Sequence, residues 1–198
     1  MARAWMAPVV PVVAVAGLLI APAQAGAAVP TFHRFEAVAT ANFTVVEQCD
    51  DGSTAQTLVT VIGGHEEEQE SGETTLDSDF LTVLIRGTDC AGNFINDIGF
   101  GEAEFSFSPS LQEAQVTGVV TTRDGRTVAV DVQWEATGQP EVTTNTTQFP
   151  GFVGIFVGVQ RDAVASGEVT VDGELLVSGT TTRAQIETLE DTNRTLPA

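Results

Sequence analysis

The side chains of this chain best suited to chemistry are carboxylates. Between Gly63 and Asp79 stand His65, Glu66, Glu67, Glu68, Glu70, Glu73, Asp77 and Asp79. Carboxylate oxygens are what a hard cation such as Ca2+ takes, typically about six to eight ligands in all. A second acidic group flanks the two cysteines, in Cys49-Asp50-Asp51-Gly52 and Asp89-Cys90-Ala91-Gly92-Asn93. Asp50, Asp51, Asp89, Glu66 and Glu68 are therefore the expected ligands if a metal is held, with calcium as the ion. The spacing argues for caution: no D-x-[DN]-x-[DN]-G loop occurs, and His65-Glu66-Glu67-Glu68 is not the H-E-x-x-H of zinc hydrolases. A solvated acidic hairpin loop over 63–79 accounts for the same residues.

Paired carboxylates can also work as acid and base, as in glycosidases. Asp50 and Asp89 would form such a pair if the cysteines joined their loops. The rest of the catalytic repertoire is thin. There is no G-x-S-x-G elbow, and Gly99-Phe100-Gly101 lacks the third glycine of a dinucleotide loop. The only histidines are His33 and His65. No catalytic residue and no required cofactor are assigned. A different chemistry is offered by Phe149-Pro150-Gly151-Phe152-Val153-Gly154-Ile155-Phe156-Val157-Gly158, apolar at both parities and rich in glycine. Buried, it is an inner strand whose glycines admit close packing, the commoner fate. Exposed, Phe149, Phe152 and Phe156 would contact a partner, a polymer or a lipid.

The elements that must position these residues are strands. In Thr127–Ala136, Val128, Val130, Val132 and Trp134 alternate with Ala129, Asp131, Gln133 and Glu135, the pattern of a half-buried antiparallel strand. Residues 114–121 alternate likewise, and Asp124-Gly125 between them reads as a type I′ hairpin turn. Asp172-Gly173 joins 163–171 to 175–182 in the same way. Further strands are expected at 35–48, 56–62, 80–86, 98–107, 139–148 and 152–159, with Trp134 in the core. Eight to ten strands joined by short Gly, Asp, Asn and Pro turns predict an all-β fold, an antiparallel β-sandwich or barrel.

The N-terminus reads as an export signal: Arg3, an apolar stretch from Met6 to Ile20, then Ala23-Gln24-Ala25. The expected organisation is a signal peptide over 1–25 (cut as late as 28), an N-terminal segment over 26–34, one β domain over 35–189 and a flexible tail over 190–198. Export makes Cys49 and Cys90 a disulfide rather than a metal pair. In a simple meander the two strands that carry them would flank a third and stand about 9–10 Å apart, so either those two strands are neighbours or their end loops fold together over the third. The loops 50–53 and 87–93 are expected side by side.

All eight basic residues are arginines against 27 acids, a formal net charge of −19. Such a surface repels nucleic acid and anionic lipid. No span crosses a membrane beyond the leader. The expected function is an exported, non-catalytic extracellular or envelope domain, acting by binding or as a structural module toward an extracellular partner or polymer. The alternatives are a secreted hydrolase with paired carboxylates and a secreted protein inhibitor presenting a loop such as 143–149.

Overall fold

The computed structural model describes residues 30–195, so the expected signal peptide and the last three residues lie outside it. Ten antiparallel strands form one sheet: β1 (Pro30–Gln48), β2 (Thr54–Glu70), β3 (Glu73–Thr88), β4 (Phe94–Glu102), β5 (Glu104–Phe107), β6 (Glu113–Thr121), β7 (Thr127–Ala136), β8 (Glu141–Phe149), β9 (Phe152–Val171) and β10 (Glu174–Thr195). The order across it is β4-β3-β2-β1-β10-β9-β7-β6-β5, with β8 also on β9. The fold is all-β, as the alternating pattern requires. Among the described residues no helix is long and apolar enough to cross a membrane.

Two breaks simplify the topology. β5 continues the path of β4 but changes partner, leaving β3 and joining β6. The isolated bridge Gly99↔Thr122 lies in the same register as Glu104↔Thr117, so β4 and β5 run along β6 as one line. This brings the two edges of the sheet together. β7 and β8 likewise lie end to end along β9, which pairs with β7 through Ala163–Val171 and with β8 through Phe152–Gln160.

The rolled sheet is flattened until opposite walls touch. A Cβ placed on Gly63 of β2 would stand 2.7 Å from the Cβ of Val116 on β6. Small and β-branched side chains fill the space between: Ala39, Ala41, Val59, Val61, Val83, Val116, Val128, Val132, Ala165 and Val169 are buried, with Leu81, Ile85 and Ile186. Trp134 is in this core, as its alternation predicts, and its indole N–H donates to the Thr40 carbonyl at 2.9 Å. Residues this small permit close walls and a dry interior.

Three turns share one hydrogen-bond pattern. In Cys49–Ser53, Asp89–Asn93 and Thr122–Arg126 the first N–H donates to the fifth carbonyl, and the glycine N–H at position four donates to the first carbonyl. Gly52, Gly92 and Gly125 carry φ of +84°, +80° and +82°. Asp124-Gly125 is thus not a two-residue type I′ turn, because only the glycine has positive φ. Asp172-Gly173 does have positive φ at both positions, 53° and 85°, as expected. The first two turns are held together by the Cys49–Cys90 disulfide, with Cα atoms 5.4 Å apart. β1 and β3 flank β2, so the bridge forms because the turns fold together over its end.

The strands are longer than their apolar pattern. The expected loop over 63–79 is the paired ends of β2 and β3, turning at Ser71-Gly72 with φ of 53° and 86°. The expected domain limits at 35 and 189 fall inside β1 and β10, whose pairing continues to Pro30↔Arg194. Past the core, β3, β2, β1, β10, β9 and β8 therefore run on as a six-stranded extension.

Candidate functional site

The predicted acidic ligands are not brought together. Asp50, Asp51 and Asp89 sit at the disulfide end, where β2 begins, whereas Glu66 and Glu68 stand about 40 Å along that strand in the extension. Asp51 accepts from the Ser53 N–H at 2.9 Å and its hydroxyl at 2.6 Å. Asp89 accepts from the N–H groups of Ala91 and Asn93 and from the Asn93 amide at 2.9 Å. Hydrogen bonds from Ser53 and from Asn93 hold both carboxyls below the usual range. These are turns satisfied by their own aspartates. Glu66 and Glu68 instead surround Arg34, whose Nη2 is 2.5 Å from Glu66 and 3.5 Å from Glu36, with Nε 3.8 Å from Glu68. Among the described residues no three His, Cys, Asp or Glu side chains converge on a metal-sized point.

His65 has partners that its sequence context hides. β2 pairs with β3 so that His65 faces Asp79, and Nδ1 lies 2.8 Å from the Asp79 Oδ1. The second Asp79 oxygen accepts the Phe105 N–H at 3.1 Å, and the imidazole packs near Phe35, which stacks on Phe107. A histidine oriented by an aspartate is half of a triad. Here the pair ties β5 to the β2–β3 wall, and both cysteines are oxidised.

Two buried ionic sites also lay outside the sequence reading. Asp97 of β4 is fully buried and accepts from Arg126 Nε and Nη2 at 3.0 and 2.7 Å. Arg161 is buried where β7 gives way to β8; its guanidinium donates to the carbonyls of Gly138 and Ser110. Residues 137–140 bulge around it, which is why β7 and β8 are two strands.

The apolar run is divided between the two fates: 152–155 and 157 are half-buried and Gly158 is buried, but its phenylalanines are partly open. Phe149 is 59% exposed and Phe156 37% exposed, with Phe152 half-buried. On the outer face of β9 phenylalanine and glycine alternate: the Phe152 ring lies 3.5 Å from where a Cβ on Gly154 would be, and the Phe156 ring 3.5 Å from that point on Gly158. Phe149 of β8 pairs with Phe152, ring centroids 6.4 Å apart. Beside Phe156, a hollow of about 220 Å3 is lined by Leu189, Gly158, Thr143, Glu141 and Glu187. Burial, with the like charge of Glu36, pushes the Glu187 carboxyl up. Three phenylalanines thus gather on one face of the β8–β9 pair, with Glu141 and Glu187 beside them.

No family profile, no curated protein and no solved structure matches this chain.

Proposed function

We propose that the protein is an exported, non-catalytic β-domain of the extracellular space or cell envelope that acts by binding through the outer face of β8 and β9. The reading is carried by one observation: the run from Phe149 to Gly158 lies in the sheet extension with Phe149 and Phe156 open to solvent. Apolar side chains grouped at a surface cost solubility and are kept where they contact something. The glycines flatten the floor beside each ring, so a flat partner or an extended polymer can reach the phenylalanines. The Cys49–Cys90 bridge supports an oxidising location. The role requires no cofactor.

Both alternatives have less support. The hydrolase reading drew on Asp50 and Asp89, and Asp89 is committed to its own turn. The inhibitor reading drew on a loop at 143–149, and those residues are strand. One observation favours acid–base chemistry elsewhere: Glu187, raised beside Glu36, borders the Phe156 hollow.

Nile red, a neutral apolar dye that the negative field does not exclude, tests the proposal. Saturable binding to the folded protein is expected, weakened at least about tenfold, or about 1.4 kcal/mol, in a Phe149→Ser/Phe156→Ser double variant with unchanged circular dichroism. A native protein that leaves Nile red unaffected would overturn it. Glu187→Gln should leave dye binding in place; loss of a polysaccharide-cleaving activity in that variant would favour the hydrolase instead.

A further inference from the structure

β8 is hydrogen-bonded on one side only. Among the described residues it pairs with β9 and nothing else, and all nine of its residues are exposed. Its free edge presents unpaired N–H and C=O groups, a template for another strand. Natural edges are blunted by lysine, proline, bulges or inward charges. β8 has none of these within it. Its pairing with β9 shows no register shift from Glu141↔Gln160 to Phe149↔Phe152, and Pro140 and Pro150 lie just outside. The opposite edge of the extension, at the start of β3, differs: it carries Glu73, Asp77 and Asp79, and its pairing with β2 is broken by a register shift at Glu68/Gln69.

Charge limits where a second copy could dock. The chain carries 27 acids and eight basic residues, so a second copy is repelled by most of its surface. From Val142 to Phe149 the edge carries no ionisable group, and Glu141 stands at one end. We propose that β8 pairs antiparallel with β8 of a second copy, about a two-fold axis through Asn145. In that register Asn145 faces its own mate, Thr144 faces Thr146, Thr143 faces Thr147, Val142 faces Gln148, and Glu141 faces Phe149. Threonine pairs suit cross-strand contact, and the two Glu141 carboxylates are kept at opposite ends. The interface is isologous and closed, so it yields a dimer and no fibre. The six-stranded extensions join into one sheet of twelve strands, with the aromatic faces of both copies on the same side.

This inference concerns the backbone edge and does not need the face to bind anything. Sedimentation velocity on the intact protein over a wide concentration range tests it. The expected result is a reversible monomer–dimer equilibrium whose Kd rises at least about tenfold in Asn145→Asp, which sets two carboxylates against each other on the axis. Asn145→Cys should oxidise to a covalent dimer. Thr143→Cys should not, because the two copies of that position would lie about 14 Å apart. A wild-type protein that stays monomeric overturns the proposal, as does a Kd unchanged in Asn145→Asp. Equal cross-linking of the two cysteine variants overturns the register. Phe149→Ser/Phe156→Ser separates this inference from the binding role: dye binding lost with the dimer retained leaves the edge pairing standing, and a wild type that binds dye as a monomer refutes the edge alone.

Discussion

The Asp97 carboxylate takes two hydrogen bonds from the Arg126 guanidinium, from Nε at 3.0 Å and from Nη2 at 2.7 Å, across the line where the two edges of the sheet meet. Asp97 lies on β4 and Arg126 closes the β6–β7 turn. The Arg123 N–H donates to the Ile98 carbonyl at 2.8 Å and the Asp124 N–H to Asp97 at 3.3 Å, so the whole turn is fastened to β4. Both guanidinium donors converge on Oδ2 while Oδ1 accepts the Asp124 N–H, and the fixed spacing of two adjacent N–H groups is something lysine could not reproduce.

Removing one partner of a buried pair strands the other charge. Arg126→Ala should therefore lower the unfolding free energy by about 3 kcal/mol, or roughly 6–12 °C in Tm for a chain of this size. Denaturant titration checks it. A loss below about 1 kcal/mol would mean that the seam is held by its backbone bonds instead.

Stability should depend on pH through the same residue. Burial alone would raise the Asp97 carboxyl, but hydrogen bonds from Thr122, Arg126 and Asp124, with the Arg126 charge, outweigh it and hold it below the ordinary range. Its stabilising contribution is present above the usual aspartate pKa and is lost as pH falls through the lowered folded value. Glu187 works the other way: its raised folded pKa means that its contribution is present at low pH and lost as pH rises through that value. Glu187→Gln should thus stabilise the protein at neutral pH and make no difference in acid. Urea titrations of wild type and variant across pH read both signs.

Opening the disulfide should cost about 4 kcal/mol on the chain-entropy estimate for its 41-residue separation. Cys49→Ser/Cys90→Ser compared with wild type under oxidising conditions measures it, and the two should become indistinguishable in reductant.

Calcium should move the unfolding midpoint no further than NaCl at equal ionic strength. The Asp51 and Asp89 carboxylates already accept from their own turns, and Glu66 and Glu68 are drawn to the guanidinium of Arg34. A calcium-specific shift of several degrees, as a ligand at about 100 times its Kd would give, would refute this.

Gly167→Ala should be among the most damaging small changes in the chain. A Cβ there would lie 2.1 Å from the Asp131 carbonyl oxygen, so β7 and β9 would have to separate. A loss of about 3 kcal/mol is expected. Gly138→Ala, with open space around the new methyl, serves as the control.

The core half of the fold was legible because one face of each strand is apolar there. Period-two alternation placed Val128, Val130, Val132 and Trp134 inside, and cysteine pairing followed from count and compartment. Alternation is silent where both faces meet water. That is why Gly63–Asp79 read as a loop: acids on paired strand ends look like acids in a turn. At Arg161 the error runs the other way: 152–159 and 163–171 read as two strands, whereas β9 is one. A buried guanidinium held mainly by the Gly138 and Ser110 carbonyls leaves no oppositely charged residue to look for, and the strand β9 runs straight through it. The exposure of Phe149 and Phe156 depends on no other described residues packing over them, a fact of tertiary arrangement that composition does not carry.

The long strands have a mechanical consequence. β1, β2, β3, β9 and β10 each pass unbroken from the packed core into the extension, so the two regions are joined by five continuous backbones. A load applied at Phe156 runs down the backbone of β9 into Ala163, Ala165 and Val169, the centre of the core. In hydrogen exchange the same strands should then show a gradient along their length, fast at the Phe152 end and slow beyond Ala163, in place of two separately unfolding blocks. The end of β9 that carries Phe152 and Phe156 is in effect the arm of a lever whose fulcrum is the hydrophobic core.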